Sequence, residues 1–126
     1  MALSQTRFMK RIYHLSTCDT CRRILRDLNP PEDFELREIR KNPVLTEELE
    51  HLAELSGSYK ALFNSRARLC RERNIKVAEL SEEEIRTLIL EHYTLLKRPV
   101  IVQDNKIFIG NSRETVQRAG KSLLHR

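Results

Sequence analysis

Arg11-Ile12-Tyr13-His14-Leu15-Ser16-Thr17-Cys18-Asp19-Thr20-Cys21-Arg22-Arg23-Ile24-Leu25-Arg26-Asp27-Leu28 is the stretch on which the reading of this chain turns. Residues 11–15 have strand character and residues 22–28 helix character, so Cys18 and Cys21 form a C-x-x-C pair where a strand becomes a helix. There the first sulfur lies near the unpaired N–H groups of the helix start, whose positive dipole end favours thiolate over thiol. Arg22 and Arg23 add positive charge one turn on. The thiolate is the nucleophile, so the pattern predicts thiol–disulfide chemistry. Two other readings stay open. A C-x-x-C pair is also half of a zinc site, which needs Cys70 and one of His14, His51, His92 or His125; no second C-x-x-C or H-x3-H pair accompanies it. The cysteines can also be inert core residues, a reading that the polar Asp19 and Thr20 and the following arginines weigh against.

Outward from this stretch, Asn29-Pro30-Pro31 stops the helix, because proline cannot continue it and pushes the preceding residue extended. Residues 34–39 alternate apolar and polar, which predicts a half-buried second strand closed by Asn42-Pro43. Leu45, Leu49, Leu52 and Leu55 then recur at helical spacing, with Thr46 as the expected N-cap and Gly57 as the stop. Residues 59–63 and 66–73 read as short helical turns. Ser81 and Glu84 form a capping box, and Leu80 is placed to staple onto Ile85. Ile85, Leu88, Ile89 and His92 share one face of that helix, which makes His92 a core or boundary residue rather than a ligand. Residues 100–102 and 106–109 are short β-branched runs, joined by a tight turn at Gln103-Asp104-Asn105. Gly110 permits a bend, and Ser112 caps a last helix bearing Val116, Ala119 and Leu123.

The order β-α-β, helices, β-β-α, with C-x-x-C after the first strand, predicts a thioredoxin-like α/β fold. Its four-stranded mixed sheet carries a helical insertion between the second and third strands. Arg98-Pro99 precedes the third strand. A proline there cannot donate to the ladder and is open to the cis form, leaving nearby backbone groups to meet a substrate; an ordinary strand-start proline is the alternative.

The 126 residues suit one domain over 1–126, with a loose tail at 1–6. The formal charge of +5 suits oxyanions or an acidic partner. No dense basic tract with interleaved aromatics appears, so direct nucleic-acid binding is not expected. Three cysteines do not make a secreted disulfide framework. The N-terminal residues lack a signal-peptide core and no run approaches bilayer length, so the cytoplasm is the expected compartment and no membrane contact is expected.

Ile12-Tyr13-His14 leading to Cys18, the segment Lys60-Ala61-Leu62-Phe63-Asn64-Ser65-Arg66, and Lys97-Arg98-Pro99-Val100-Ile101-Val102 together resemble the arsenate reductase (ArsC) family of the glutaredoxin-coupled type. That family also contains the Spx transcription regulators. The resemblance runs from about Lys10 to about Arg118. It implies that Cys18 is the nucleophile that attacks arsenate, that Arg98 helps to hold the oxyanion, and that glutathione with glutaredoxin (or thioredoxin) supplies electrons. Guanidinium groups grip tetrahedral oxyanions through paired hydrogen bonds and favour a nearby thiolate, which gives this assignment its physical logic. Two further arginines are expected in such a site. Asn64 stands where one of them belongs, which makes Arg66 the nearby candidate; the other falls around Asn111–Arg113, which makes Arg113 the candidate.

Two functions follow. In the first, the chain is a thiol-dependent oxidoreductase acting on a disulfide, a glutathione adduct or a small oxyanion. Cys18 attacks, Cys21 resolves the adduct as an internal disulfide, Arg98 stabilises the thiolate, Pro99 shapes the substrate groove, and no bound cofactor or metal is needed. In the second, the resemblance to the regulators implies a redox switch at Cys18 and Cys21 that governs binding to RNA polymerase. Cys70 is read as structural or incidental.

Overall fold

Four strands and the helices that join them follow the expected order. The computed structural model describes residues 9–124; the tail expected at 1–6, and His125 with it, lie outside the described residues. Strand β1 is Lys10–His14, helix α1 Asp19–Leu28, and strand β2 Glu35–Glu38. Helices α2 (Thr46–Ser56), α3 (Arg68–Glu72) and α4 (Glu82–Glu91) follow. Strands β3 (Val100–Gln103) and β4 (Lys106–Ile109) and helix α5 (Arg113–Leu124) close the chain. The sheet order is β2-β1-β3-β4. Strand β1 runs parallel to β2 and antiparallel to β3, and β3 runs antiparallel to β4. This is the mixed, four-stranded thioredoxin-like sheet.

Backbone contacts divide the chain into two compact units, one holding the strands (described residues up to Asn42 and from Arg98 onward), the other Pro43–Lys97. In the strand-bearing unit, Ile12 and Ile101 pair across β1 and β3 and share a core with Phe34, Phe108, Ala119 and Leu123. Leu25 and Leu28 of α1 pack on that core. Each large side chain so buried contributes about 1.5–3 kcal/mol of transfer free energy. Arg11 pairs with Glu35 of β2 at 2.9 Å and donates to the Tyr13 hydroxyl at 3.1 Å, tying the polar edge of the sheet.

Local signals explain the element ends. Helix α1 stops at Asn29, whose left-handed φ of 45° lets its N–H donate back to the Leu25 carbonyl. The two-residue turn between β3 and β4 places Asp104 at φ 57°. Ser112 accepts from the Thr115 N–H at 3.1 Å at the start of α5. The second strand departs from its expected pattern. Leu36 is 51% exposed, because β2 is an edge strand, while Phe34 and Ile39, just outside it, carry the burial.

The unit Pro43–Lys97 is helical. Leu49 and Leu52 of α2 and Ile85 and Ile89 of α4 are buried, and Arg86 pairs with Glu50 at 3.6 Å. The Ser81–Glu84 box forms as expected, with the Glu84 N–H donating to the Ser81 hydroxyl at 3.1 Å. At α2 the cap falls one residue earlier than expected: Leu45 takes the N-cap position and Thr46 begins the helix. Glu48 compensates by accepting the Leu45 N–H at 2.8 Å. His92 is half-buried at the end of α4, where its N–H donates to the Leu88 carbonyl.

Candidate functional site

Cys18 is the N-cap residue of α1, with extended φ and ψ of −97° and 112°. Its N–H donates to the Leu15 carbonyl at 3.1 Å and its carbonyl accepts the Arg22 N–H at 3.0 Å, so the backbone on both sides is fixed. The side chain does not cap the helix and is half-exposed, which leaves the sulfur open to a reactant beside the first, unpaired N–H groups of α1.

Cys21, one turn on, is wholly buried. Burial pushes its thiol up to about 11, and the adjoining Cys18, to which it is hydrogen-bonded, acts in the same direction. A backbone hydrogen bond at Leu15 and the Arg98 guanidinium pull the other way without prevailing. The two sulfurs are therefore neighbours of unlike character, one reachable and one held as a thiol, and both are free of disulfide bonds.

Arg98 is half-buried and is brought to the cysteine pair. Pro99 follows it across a cis peptide bond and is buried, with its carbonyl accepting the Gly110 N–H at 2.9 Å. Arg113, the first residue of α5, is exposed. Arg66 is exposed in the helical unit, where its backbone N–H donates to the Asn64 side chain at 3.2 Å. The Asn64 carboxamide is committed to local structure: it also donates to the Thr94 carbonyl at 3.2 Å. The charge expected from Arg22 is taken up by an ion pair with Asp19 on the exposed side of α1.

One residue escaped the sequence reading. Glu38, at the end of β2, accepts the Ser16 N–H at 2.8 Å, the Ser16 hydroxyl at 2.9 Å and the Lys41 N–H at 2.8 Å. Burial by itself would raise its pKa, but these bonds, with one from the Arg40 N–H, bring it down to about 2. Because β1 and β2 are parallel, their C-terminal ends lie at one edge of the sheet, and an acid ending β2 falls beside the turn leaving β1. That topological rule was the available signal. His14, opposite Glu38 in the register, is half-buried, and desolvation lowers its pKa despite the nearby carboxylate.

Among the described residues, no three His, Cys, Asp or Glu side chains cluster as a metal site. No described helix is long and apolar enough to cross a membrane.

A mixed sheet that presents one open cysteine at a helix start, with a second buried beneath it, defines a thioredoxin-like protein. More narrowly, the chain belongs to the ArsC family, whose sequence profile matches residues 13–119. The global transcriptional regulator Spx 2 of Bacillus cereus is 27% identical over 109 residues, covering 85% of this chain and 83% of the regulator. The regulatory protein MgsR of Bacillus subtilis is 25% identical over 116 residues, covering 90% and 92% of the two chains. Among solved structures, a possible arsenate reductase from Streptococcus mutans UA159 is 31% identical with a TM-score of 0.66, covering 84% of this chain and 92% of that one. The arsenate reductase from Vibrio cholerae shares the fold, with a TM-score of 0.71 at 23% identity, covering 93% and 96%.

Proposed function

We propose that the protein is a thiol-dependent oxidoreductase with Cys18 as nucleophile and Cys21 as resolving cysteine, using glutathione with glutaredoxin, or thioredoxin, as electron donor in the cytoplasm. The observation that carries this reading is the asymmetry of the pair: Cys18 is open at the helix start, while Cys21 is buried and hydrogen-bonded to it. With a disulfide substrate, the Cys18 thiolate attacks one sulfur and expels the other as a thiolate. Cys21 then gives up its proton and attacks Cys18, which releases the second substrate thiol and leaves the Cys18–Cys21 disulfide. With arsenate, Cys18 displaces water to form an arsenic–sulfur bond. Attack by Cys21 on that sulfur leaves the bonding pair on arsenic, which departs as arsenite. Two external thiols reduce the internal disulfide in either case.

Arg98 serves as the anion grip and pulls the Cys21 thiol toward its thiolate; Pro99 shapes the groove beside it. Arg113, in the same unit, is the secondary candidate for anion contact. Asn64 carries no charge at the position where the family resemblance expects an arginine, so Arg98 bears the main burden of oxyanion binding.

The experiment is arsenate-dependent NADPH consumption through glutathione, glutaredoxin and glutathione reductase, with Cys18→Ser as control. Turnover that vanishes in the control establishes arsenate as a substrate. A folded protein without turnover removes arsenate and leaves disulfide or glutathione-adduct reduction to be assayed with the same coupling.

The matched relatives are named as regulators, which favours a second reading: a redox switch in which closing Cys18–Cys21 alters binding to RNA polymerase. Tight, redox-dependent binding to the polymerase without turnover on any thiol substrate would favour it.

A further inference from the structure

We propose that Glu38 is a positioning residue for Cys18: its carboxylate holds the turn between β1 and α1 in the shape that presents the sulfur at the helix start. This deepens the reading of Cys18 as the nucleophile and rests on it. The turn itself has a single backbone bond of its own, from the Cys18 N–H to the Leu15 carbonyl. Its exposed tip, Ser16-Thr17, is held from outside. One Glu38 oxygen, Oε2, takes both the N–H and the hydroxyl of Ser16, and the other, Oε1, takes the Lys41 N–H. The carboxylate thus ties the turn after β1, 22 residues before it in sequence, to the turn that follows β2. The turn after β2 is less dependent on this bridge, because the Asn42 N–H closes it on the Glu38 carbonyl at 2.9 Å. The side chain therefore does most at Ser16, two residues before the nucleophile. A pKa near 2 keeps the group ionised, and so an acceptor only, throughout the neutral range.

The two oxygens allow the positioning role to be separated from a merely structural one. In Glu38→Gln the amide oxygen still accepts both Ser16 donors, while the NH2 group turned toward the Lys41 N–H loses that bond. Glu38→Ala loses both ties. The readout is the second-order rate of Cys18 alkylation by iodoacetamide at pH 7, in a Cys21→Ser background, with fold checked by circular dichroism.

Glu38→Ala is expected to slow alkylation about fivefold or more, as the sulfur leaves its place beside the helix N–H groups. Glu38→Gln should stay within about twofold of its parent even though its thermal stability falls. Equal rates in the folded alanine variant and its parent would overturn the proposal and reduce Glu38 to a structural tie. Where the alanine variant does not fold, Ser16→Ala decides: loss of the hydroxyl bond alone should slow alkylation about twofold, and an unchanged rate overturns the proposal. A parent whose Cys18 reacts no faster than glutathione would remove the nucleophile from the proposed function. The ratio between variants would still judge Glu38.

Discussion

Cys18 with Cys21, and Cys70, place sulfur among arginines in two parts of the molecule, and the outcomes differ. Cys70 sits in the five-residue α3 with Arg68, Arg71 and Arg73 close in sequence. Those arginines point outward: all three are exposed, and Arg68 pairs with Glu72 at 3.3 Å. The Cys70 thiol is buried and donates to the Asn64 carbonyl at 3.7 Å, and burial raises its pKa. At the other site the arginine that matters is Arg98, distant in sequence but brought to the pair by β3, and the first cysteine is reachable. Positive charge beside a cysteine in the sequence is thus a poor guide to charge at its sulfur. What decides is the side of the element on which each group falls.

The largest expected effect tests this contrast directly. Cys18→Ser should abolish the fast phase of thiol alkylation and all turnover, whereas Cys70→Ala should keep both. The Cys70 change should instead cost about 1–2 kcal/mol of stability, as expected for deleting a small buried side chain. Site-resolved mass spectrometry after brief alkylation, with urea titration of each variant, reads both outcomes. Faster labelling of Cys70 than of Cys18 would break the comparison.

The same contrast marks what the sequence could and could not disclose. The β1–cysteine–α1 turn, the Ser81–Glu84 box and the Ser112 cap were legible, because each is decided within a few residues by the hydrogen bonds of a helix start. The cysteine pair and Arg98 were legible as candidates, through the strand-to-helix turn and the resemblance around Arg98-Pro99. Burial was harder. The exposure of Leu36 depends on β2 being the sheet edge, a property of strand order that alternation within 34–39 does not contain. The expectation that Arg22 would enrich the cysteine environment failed for the same kind of reason, since Asp19 at i−3 claims it. Glu38 is a contact across 22 residues, visible only once β1 and β2 are known to be parallel.

A smaller effect separates the two members of the pair. The Cys21 thiol is raised by burial from 9.0 to about 11, so in alkali the unfolded chain loses this proton first. Its contribution to stability is complete below about pH 9 and is lost as pH rises toward 11. The loss should amount to roughly 2 kcal/mol and should be absent in Cys21→Ala, once that variant's uniform packing cost is subtracted. Urea midpoints between pH 8 and pH 11 measure it. A parallel decline in parent and variant would show that Cys21 is not the desolvated partner, and the asymmetry on which its resolving role rests would fall with it.

The smallest effect concerns the support beneath the cysteine turn. Glu38 is depressed from 4.5 to about 2 by bonds that exist only in the folded chain. Here the sign is reversed: above pH 4.5 the carboxylate is ionised in both states and its bonds stabilise the fold in full, and that contribution is lost as pH falls through 2. Solvent near the site reduces the effect to about 1 kcal/mol. Because Glu38→Gln cannot titrate, it should be less stable than the parent at pH 7, and the gap should narrow steadily from pH 4.5 to pH 2. Thermal denaturation of the two proteins across that range gives the difference directly. A constant gap would mean that the Ser16 and Lys41 bonds do not depend on the charge, so that Glu38 holds the turn that carries Cys18 as firmly when protonated as when ionised.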